Sequence, residues 1–297
     1  LGYAFFINAE KLLDLSLTRS ALWWLVLGVL VGWISLLANA IAWKILLAWL
    51  GYRSRAIDLV QLFLSSNLLK YLPGGIWHFV ERLRVLRLHM NPGQALASVL
   101  LEPLLMAAAA MLLVPFGGWQ SGLSLVCILP SMLFLARWRE PLLRRLELLK
   151  VTEIERVDSE LISIDEIGNC GTGRGGYPFA AFVMEMLFVF LRFGSFWCCL
   201  NSFSLHSTIT FWEWLAAFSL AWTIGLIIPA APGGIGIFEA VLFLRVGFVV
   251  PEAPLLASLL CYRLVATLAD LLAAVFSKGK KSFLKLVPNS LRLRRNY

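Results

Sequence analysis

Long apolar stretches separated by short polar breaks run along the chain, and their lengths predict membrane-spanning helices. Residues 21–43 form one uninterrupted apolar run, and residues 94–116, 177–200 and 254–276 form three others of similar length. A helix needs about 20 apolar residues to cross the hydrocarbon core of a bilayer. None of these runs shows the period-two alternation of a membrane β-barrel. The pattern therefore predicts an all-α polytopic integral membrane protein.

Shorter apolar stretches lie between the long runs and are broken by proline and glycine. The tetrapeptide Pro-Gly-Gly-Ile occurs twice, at residues 73–76 after the apolar run 56–72 and at residues 232–235 after the run 211–229. Proline ends a helix, and a glycine pair allows tight turns and close backbone approach. Two such breaks in matching positions favour re-entrant helical hairpins. Ordinary turns at the membrane surface are the alternative. A further short span is predicted over residues 119–136.

The distribution of lysine and arginine orients these segments, because cytoplasmic loops are enriched in both residues. If the two hairpins enter the membrane from opposite sides, the basic clusters face the cytoplasm. The outer loops near residues 117–120 and 201–210 then contain no lysine or arginine. Only the N-terminal segment, with Lys11 and Arg19, departs from the rule. A conventional bundle of about eight spans is the alternative arrangement.

This orientation predicts two halves of opposite direction, an inverted repeat, in a single membrane domain over residues 1–297. We expect a bundle of about five to eight transmembrane helices. The segments are a first half over 1–136, a cytoplasmic loop over 137–176, a second half over 177–276 and a basic cytoplasmic tail over 277–297. The expected location is a bacterial plasma (inner) membrane, with the C-terminus in the cytoplasm.

The composition agrees with a membrane protein and excludes several function classes. The 297 residues are 60% hydrophobic and 15% charged, with a net charge of +8, whereas a soluble domain is about 25% charged. Cytoplasmic loops that face anionic lipid explain the positive charge, so no nucleic-acid partner is predicted. The five cysteines and three histidines show no metal-ligand spacing. The glycine-rich end of the polar loop lacks the ending of a nucleotide-binding loop. We predict no metal and no cofactor.

Ionisable residues inside the apolar runs are candidate functional residues, because charge in the bilayer is costly. Glu185 and Arg192 are seven residues apart and share a helix face, and Arg263 and Asp270 repeat this spacing in the last span. The alternatives are ion pairs that only fix helix packing, or side chains that snorkel to the interface, as Asp270, Lys70 and Arg245 could. Arginines beside helix N-termini that follow the two breaks suit an anionic group, above all phosphate.

Several segments of the sequence resemble the flippase-like transmembrane domain family, which includes the membrane half of lysylphosphatidylglycerol synthases. They are Asn67–Ile76 with Arg82, Pro232–Glu239, the tripeptide Tyr262–Leu264 and the stretch Trp43–Gly51. The resemblance implies translocation of a lipid or a lipid-linked precursor between leaflets. The aminoacyltransferase domain of the synthases has no counterpart in this sequence, so the chain is not expected to make aminoacyl lipids.

The resemblance and the charges within the spans together give a set of substrate-binding candidates and no catalytic residue. The candidates are Asn67, Pro73, Gly74, Gly75, Arg82, Glu185, Arg192, Pro232, Gly233, Gly234, Gly236, Glu239 and Arg263. Our first hypothesis is a flippase-like transporter of an anionic lipid or lipid-linked precursor. The alternative is an integral-membrane enzyme, or an accessory subunit of a glycosyltransferase, that acts on polyprenyl-phosphate lipids through Glu81, His78 or Glu239. Membrane lipids are the expected partners, with a second copy or a glycosyltransferase as further partners.

Overall fold

The regular structure of the protein is helical. The computed structural model describes residues 19–52, 57–72, 76–117, 123–132, 134, 176–227 and 236–277. In chain order the helices are α1 (Arg19–Trp49), α2 (Leu59–Ser66), α3 (Trp77–Leu86), α4 (Pro92–Leu113), α5 (Leu123–Met132), α6 (Phe179–Ser202), α7 (Phe211–Ile227), α8 (Ile237–Val246) and α9 (Glu252–Ser277). Two 3-10 helices, Asn67–Tyr71 and Val114–Gly117, extend α2 and α4. No strand occurs within these ranges, which confirms the all-α class.

Within the described residues, four helices are long and apolar enough to cross a bilayer, which confirms a polytopic membrane protein. They are α1, α4 with its 3-10 extension, α6 and α9, with 31, 26, 24 and 26 residues. At 1.5 Å per residue each exceeds the thickness of about 30 Å of a hydrocarbon core. Large apolar side chains, including Leu30 and Ile34 on α1 and Leu268 and Val275 on α9, lie on the outer surface. This surface is suited to contact with lipid.

Several predicted features remain predictions because they lie wholly or partly outside the described residues. Both Pro-Gly-Gly breaks, the polar loop up to residue 175 and the tail from residue 278 belong to this group. The predicted short span over 119–136 coincides with α5, whose 10 described residues are too few to cross a bilayer alone. In each half, a long helix is followed by two short helices and another long helix. This order suits a repeat, whose inverted orientation remains a prediction.

Two glycines of α1 allow a close approach to α6 and α9. A Cβ atom on Gly28 would lie 3.3 Å from the Ser195 carbonyl oxygen, and one on Gly32 would lie 3.2 Å from both Ser195 Oγ and Ala269 Cβ. The hydroxyl of Ser195 donates to the Gly28 carbonyl at 2.8 Å. A small residue at every fourth position is a common motif for close helix packing in membranes. Since Arg192 lies one turn before Ser195, this packing places it beside α9.

Aromatic side chains hold the short helix α8 against its neighbours. Phe238 of α8 lies between Phe218 of α7, at 5.5 Å between ring centroids, and Tyr262 of α9, at 5.6 Å. Phe196 of α6 contacts Tyr262 at 5.4 Å. Aromatic pairs are favoured at these distances; the Phe218–Phe238 and Phe196–Tyr262 rings meet edge to face, and those of Phe238 and Tyr262 are tilted by 33°. The helix after the second break is therefore fixed to α7 and α9, and Phe196, 6.3 Å from Phe238, also joins it to α6.

Candidate functional site

A buried carboxylate on α9, Asp270, collects hydrogen bonds from the 3-10 helix just before the first break. Its Oδ1 accepts from Asn67 Nδ2 at 3.0 Å, and its Oδ2 accepts from the Tyr71 hydroxyl at 2.6 Å. Lys70 Nζ lies 2.7 Å from the same Oδ2. Asp270 is 1% exposed. We call these four residues, together with Arg192 of α6, the Asp270 cluster.

Arg192 reaches the Asp270 cluster from α6 and is only partly paired there. Its Nη2 lies 3.7 Å from Asp270 Oδ1. Its Nε and Nη1 are buried and donate no hydrogen bond of ordinary geometry, and the buried hydroxyl of Tyr262 lies close enough to interact with this guanidinium. The guanidinium carbon lies 5.7 Å from the ring centroid of Trp222. Buried donors without partners are costly, so this part of the site is suited to an acceptor-rich ligand.

A second polar group surrounds Arg82, which lies in the interior with 1% of its surface exposed. Its Nη1 is 3.3 Å from Glu102 Oε2 of α4, and its Nε donates to Ser66 Oγ of α2 at 3.0 Å. Its guanidinium lies 3.8 Å from the ring centroid of Phe63. Glu185 of α6 lies within electrostatic range of Arg82 and Glu102, and its buried Oε2 has no hydrogen-bond partner. Together, Arg82, Ser66, Glu102 and Glu185 form the Arg82 cluster.

A third polar contact lies directly after the second break. Arg263 Nε of α9 is 2.5 Å from Glu239 Oε1 of α8, and the other oxygen of Glu239 accepts from the Gly236 backbone N–H at 2.7 Å. Gly236 has a φ of +92°, which favours glycine. Glu239 therefore caps the start of α8 and ties it to α9. The Arg263 side chain is 30% exposed, in contrast to the buried arginines.

The structure brings the predicted site residues together in three places rather than one. Asn67 and Arg192 belong to the Asp270 cluster, while Arg82 and Glu185 belong to the Arg82 cluster. The remaining group comprises Gly236, Glu239 and Arg263. The two Pro-Gly-Gly segments lie outside the described residues: Pro73, Gly74, Gly75, Pro232, Gly233 and Gly234. Glu185 and Arg192 share a helix face, yet they reach two different clusters.

The prediction that Asp270 and Lys70 could snorkel to the interface is wrong. Asp270 lies about two turns inside the end of α9, is fully enclosed, and draws the Lys70 ammonium inward. Sequence reasoning also missed Tyr71 as a site residue. The spacing of Asn67, Lys70 and Tyr71, at positions i, i+3 and i+4, is a signal that they share a face. Glu102, a carboxylate within the apolar run 94–116, is likewise absent from the predicted site residues.

The alternative hypothesis of an enzyme depends on Glu81, His78 or Glu239. Glu81 Oε2 lies 3.5 Å from Arg84 Nη1, one turn along the same helix. The ring of His78 lies against that of Phe79, with centroids 3.8 Å apart and the planes tilted by 41°, and its buried Nδ1 has no hydrogen-bond partner. Glu239 is the helix-capping carboxylate described above. Glu81 and Glu239 therefore each pair with a separate arginine.

Comparison with known protein families matches residues 2–274 to the family described as Lysylphosphatidylglycerol synthase TM region. The chain belongs to this family. Up to residue 274, the match includes every helix of the described ranges and all three polar groups, and it confirms the resemblance found in the sequence. Membership supports a membrane lipid-related function for a multi-pass membrane protein. A search of curated proteins gave no match to the chain.

Proposed function

We propose that the protein binds the phosphate of an anionic membrane lipid at the Asp270 cluster and moves this lipid between leaflets. The observation that carries the proposal is Arg192, whose Nε and Nη1 are buried without a hydrogen bond of ordinary geometry beside an ion-paired carboxylate. A planar guanidinium with two free donors matches phosphate oxygens in a bidentate arrangement.

The charge of the Asp270 cluster also favours an anionic ligand. Two cationic side chains, Lys70 and Arg192, face the single carboxylate of Asp270. The cluster therefore has a net charge of +1 when all three groups are ionised. The Arg82 cluster has the opposite charge of −1 when its groups are ionised, and its Glu102 lies within electrostatic range of Lys70. Buried charge is least costly where it is paired at short distance, which Arg192 lacks at 3.7 Å from Asp270. A phosphodiester with a single negative charge would neutralise the cluster and satisfy the free donors of Arg192.

The position of the cluster suits a lipid with its headgroup inside the bundle and its acyl chains outside. Asp270 lies on the inner side of α9, whereas Leu264, Leu268, Leu271 and Val275 of the same helix are exposed on its outer side. A helix with its side chains is only about 10 Å thick. A headgroup at Asp270 therefore lies within one helix diameter of the lipid-facing surface.

The proposal is tested by measuring leaflet transfer in proteoliposomes. Fluorescent phosphatidylglycerol is incorporated in both leaflets, and dithionite bleaches the label in the outer leaflet, so continued bleaching reports transfer. We expect Arg192→Ala to reduce the transfer rate by roughly tenfold or more, since hydrogen bonds to charged groups contribute about 1.5–3 kcal/mol. Arg192→Lys should retain part of the transfer rate, because lysine keeps the charge but cannot form bidentate hydrogen bonds with phosphate.

Arg245→Ala is the matched control, because it removes the same charge from an exposed position at the end of α8. It should transfer lipid at the wild-type rate. Thermal unfolding of each purified variant shows whether it is folded. Equal transfer by folded Arg192→Ala and Arg245→Ala variants would contradict the assignment of the site.

A further inference from the structure

We propose that Asp270 is a tethered anion, which occupies the headgroup site in the resting protein and is exchanged for the phosphate of the incoming lipid. This inference rests on the proposed function and specifies how the site works. It assigns to Asp270 the role of an internal competitor for the donors that the ligand needs.

The first observation is that Asp270 makes the contacts expected of a bound anion. Its two oxygens face Asn67, Tyr71, Lys70 and Arg192, at distances of 3.0, 2.6, 2.7 and 3.7 Å. These donors come from the 3-10 helix before the first break and from α6, which are far apart in the sequence. Such a convergence of two cations, an amide and a hydroxyl is suited to any oxyanion.

The second observation is that the carboxylate fills this site unevenly. Lys70 and Tyr71 both contact Oδ2 at short distances, whereas Arg192 is reached only by Oδ1 at 3.7 Å. Nε and Nη1 of Arg192 are left without a hydrogen bond of ordinary geometry. A phosphate has more acceptor oxygens than a carboxylate, so it can engage Arg192 fully and then compete for Lys70.

The third observation is that Asp270 connects elements from the two halves of the chain. Its contacts to Asn67, Lys70 and Tyr71 attach α9 to the segment just before the first break, across 199–203 residues of sequence for the hydrogen-bonded pairs. At the end of α9, Gln61 Nε2 of α2 also donates to the Ser277 carbonyl at 2.5 Å. Exchange of Asp270 for phosphate would therefore loosen the contact between α9 and this segment while a headgroup is bound.

The exchange is tested with Asp270→Asn, which removes the charge and keeps the size of the side chain. Binding of fluorescent phosphatidylglycerol to the purified full chain in detergent is measured by fluorescence titration. We expect the affinity to rise by roughly fivefold or more, a typical size for coupling between competing ligands. Leaflet transfer should become slower, because the lipid no longer has a competitor that releases it. Equal or weaker binding by the folded variant would overturn the exchange.

Glu252→Gln is the matched control, because it removes one carboxylate from an exposed position at the start of the same helix. Its affinity should equal that of the wild type. A rise in affinity equal to that of Asp270→Asn would overturn the proposal, since the effect would then follow from net charge alone.

A measurement on the wild-type chain keeps the proposal testable if Asp270→Asn does not fold. The chain has five aspartates, so side-chain 13C labelling of aspartate gives a small set of carboxylate bands in the infrared spectrum. Phosphatidylglycerol should shift one band, because Asp270 loses its short contacts to Lys70 and Tyr71. Unchanged aspartate bands at saturating lipid would overturn the exchange.

Two further comparisons test whether the phosphate belongs to a lipid, and distinguish failure of the exchange from failure of the proposed function. Inorganic phosphate should shift the aspartate band only at a much higher concentration than the lipid, because it has no acyl chains to contact the exposed leucines of α9. An equal shift at equal concentration would overturn the assignment to a lipid headgroup. If wild-type protein binds no phosphatidylglycerol, the proposed function itself fails. If the wild type binds it through Arg192 and Asp270→Asn does not bind more tightly, only the exchange fails.

Discussion

Substitution of the buried Arg82 should destabilise the protein far more than substitution of either carboxylate near it. Arg82 is the cation of a cluster with two carboxylates, since Glu102 lies at 3.3 Å and Glu185 lies within electrostatic range. Arg82→Met keeps most of the side-chain volume but leaves both carboxylates without their cation. Removing one partner of a buried ion pair costs about 3–5 kcal/mol in free energy of unfolding.

Substitution of either carboxylate should cost less than Arg82→Met, because Arg82 then still has one carboxylate near it. Glu102→Gln still allows Arg82 to pair with Glu185 and keeps a hydrogen-bond acceptor, so we expect a cost of about 1 kcal/mol. Glu185→Gln removes a carboxylate whose Oε2 has no hydrogen-bond partner. Its effect should be between zero and a stabilisation of about 1 kcal/mol, since like charges close together are unfavourable.

Equilibrium unfolding of the purified variants in detergent measures these free energies. The expected order of stability is Glu185→Gln at or above wild type, then Glu102→Gln, then Arg82→Met. An Arg82→Met variant as stable as Glu102→Gln would refute the reasoning, because it would show that the carboxylates do not need this cation.

Three further predictions concern packing, the second break and the hairpins. Gly32→Ala should lower the free energy of unfolding by about 1–3 kcal/mol, because the new Cβ would lie 3.2 Å from Ser195 Oγ and Ala269 Cβ. Gly176→Ala is the control, since its Cβ would have no atom within 4 Å. Equal thermal stability of the two variants would contradict this packing. Glu239→Gln should weaken the link between α8 and α9 and lower stability by about 1 kcal/mol, measured by chemical unfolding; an unchanged value would argue against the cap. Cysteines at Gly74 and Gly233 should react with membrane-impermeant reagents from opposite sides of the membrane and at mid-depth, and labelling only at the two surfaces would exclude re-entrant hairpins.

The long helices could be predicted from the sequence because they depend on local composition. A run of about 20 apolar residues has few alternatives to a spanning helix, so α1, α4, α6 and α9 were found, with ends that differ by several residues. The shared face of Glu185 and Arg192 follows from helical periodicity alone. These features need no knowledge of how the helices pack.

The partners of the charged residues could not be predicted, because they depend on contacts between distant segments. Asp270 is bound by residues about 200 positions earlier, and no local pattern indicates this pairing. The same limit explains why Lys70 was expected to reach outward. The pair Gly28 and Gly32 does carry a local signal, a small residue at every fourth position, and this signal would have placed α1 against another helix.

The central claim, that Arg192 binds the phosphate of an anionic lipid, is tested most directly by a distance measurement. Solid-state NMR can detect dipolar coupling between 31P of phosphatidylglycerol and 15N of labelled arginine side chains in proteoliposomes. We predict a contact of about 4 Å, as expected for a guanidinium hydrogen-bonded to phosphate, that is lost in Arg192→Lys and kept in Arg245→Lys. A coupling that persists unchanged in Arg192→Lys, or no coupling in the wild type, would contradict the account.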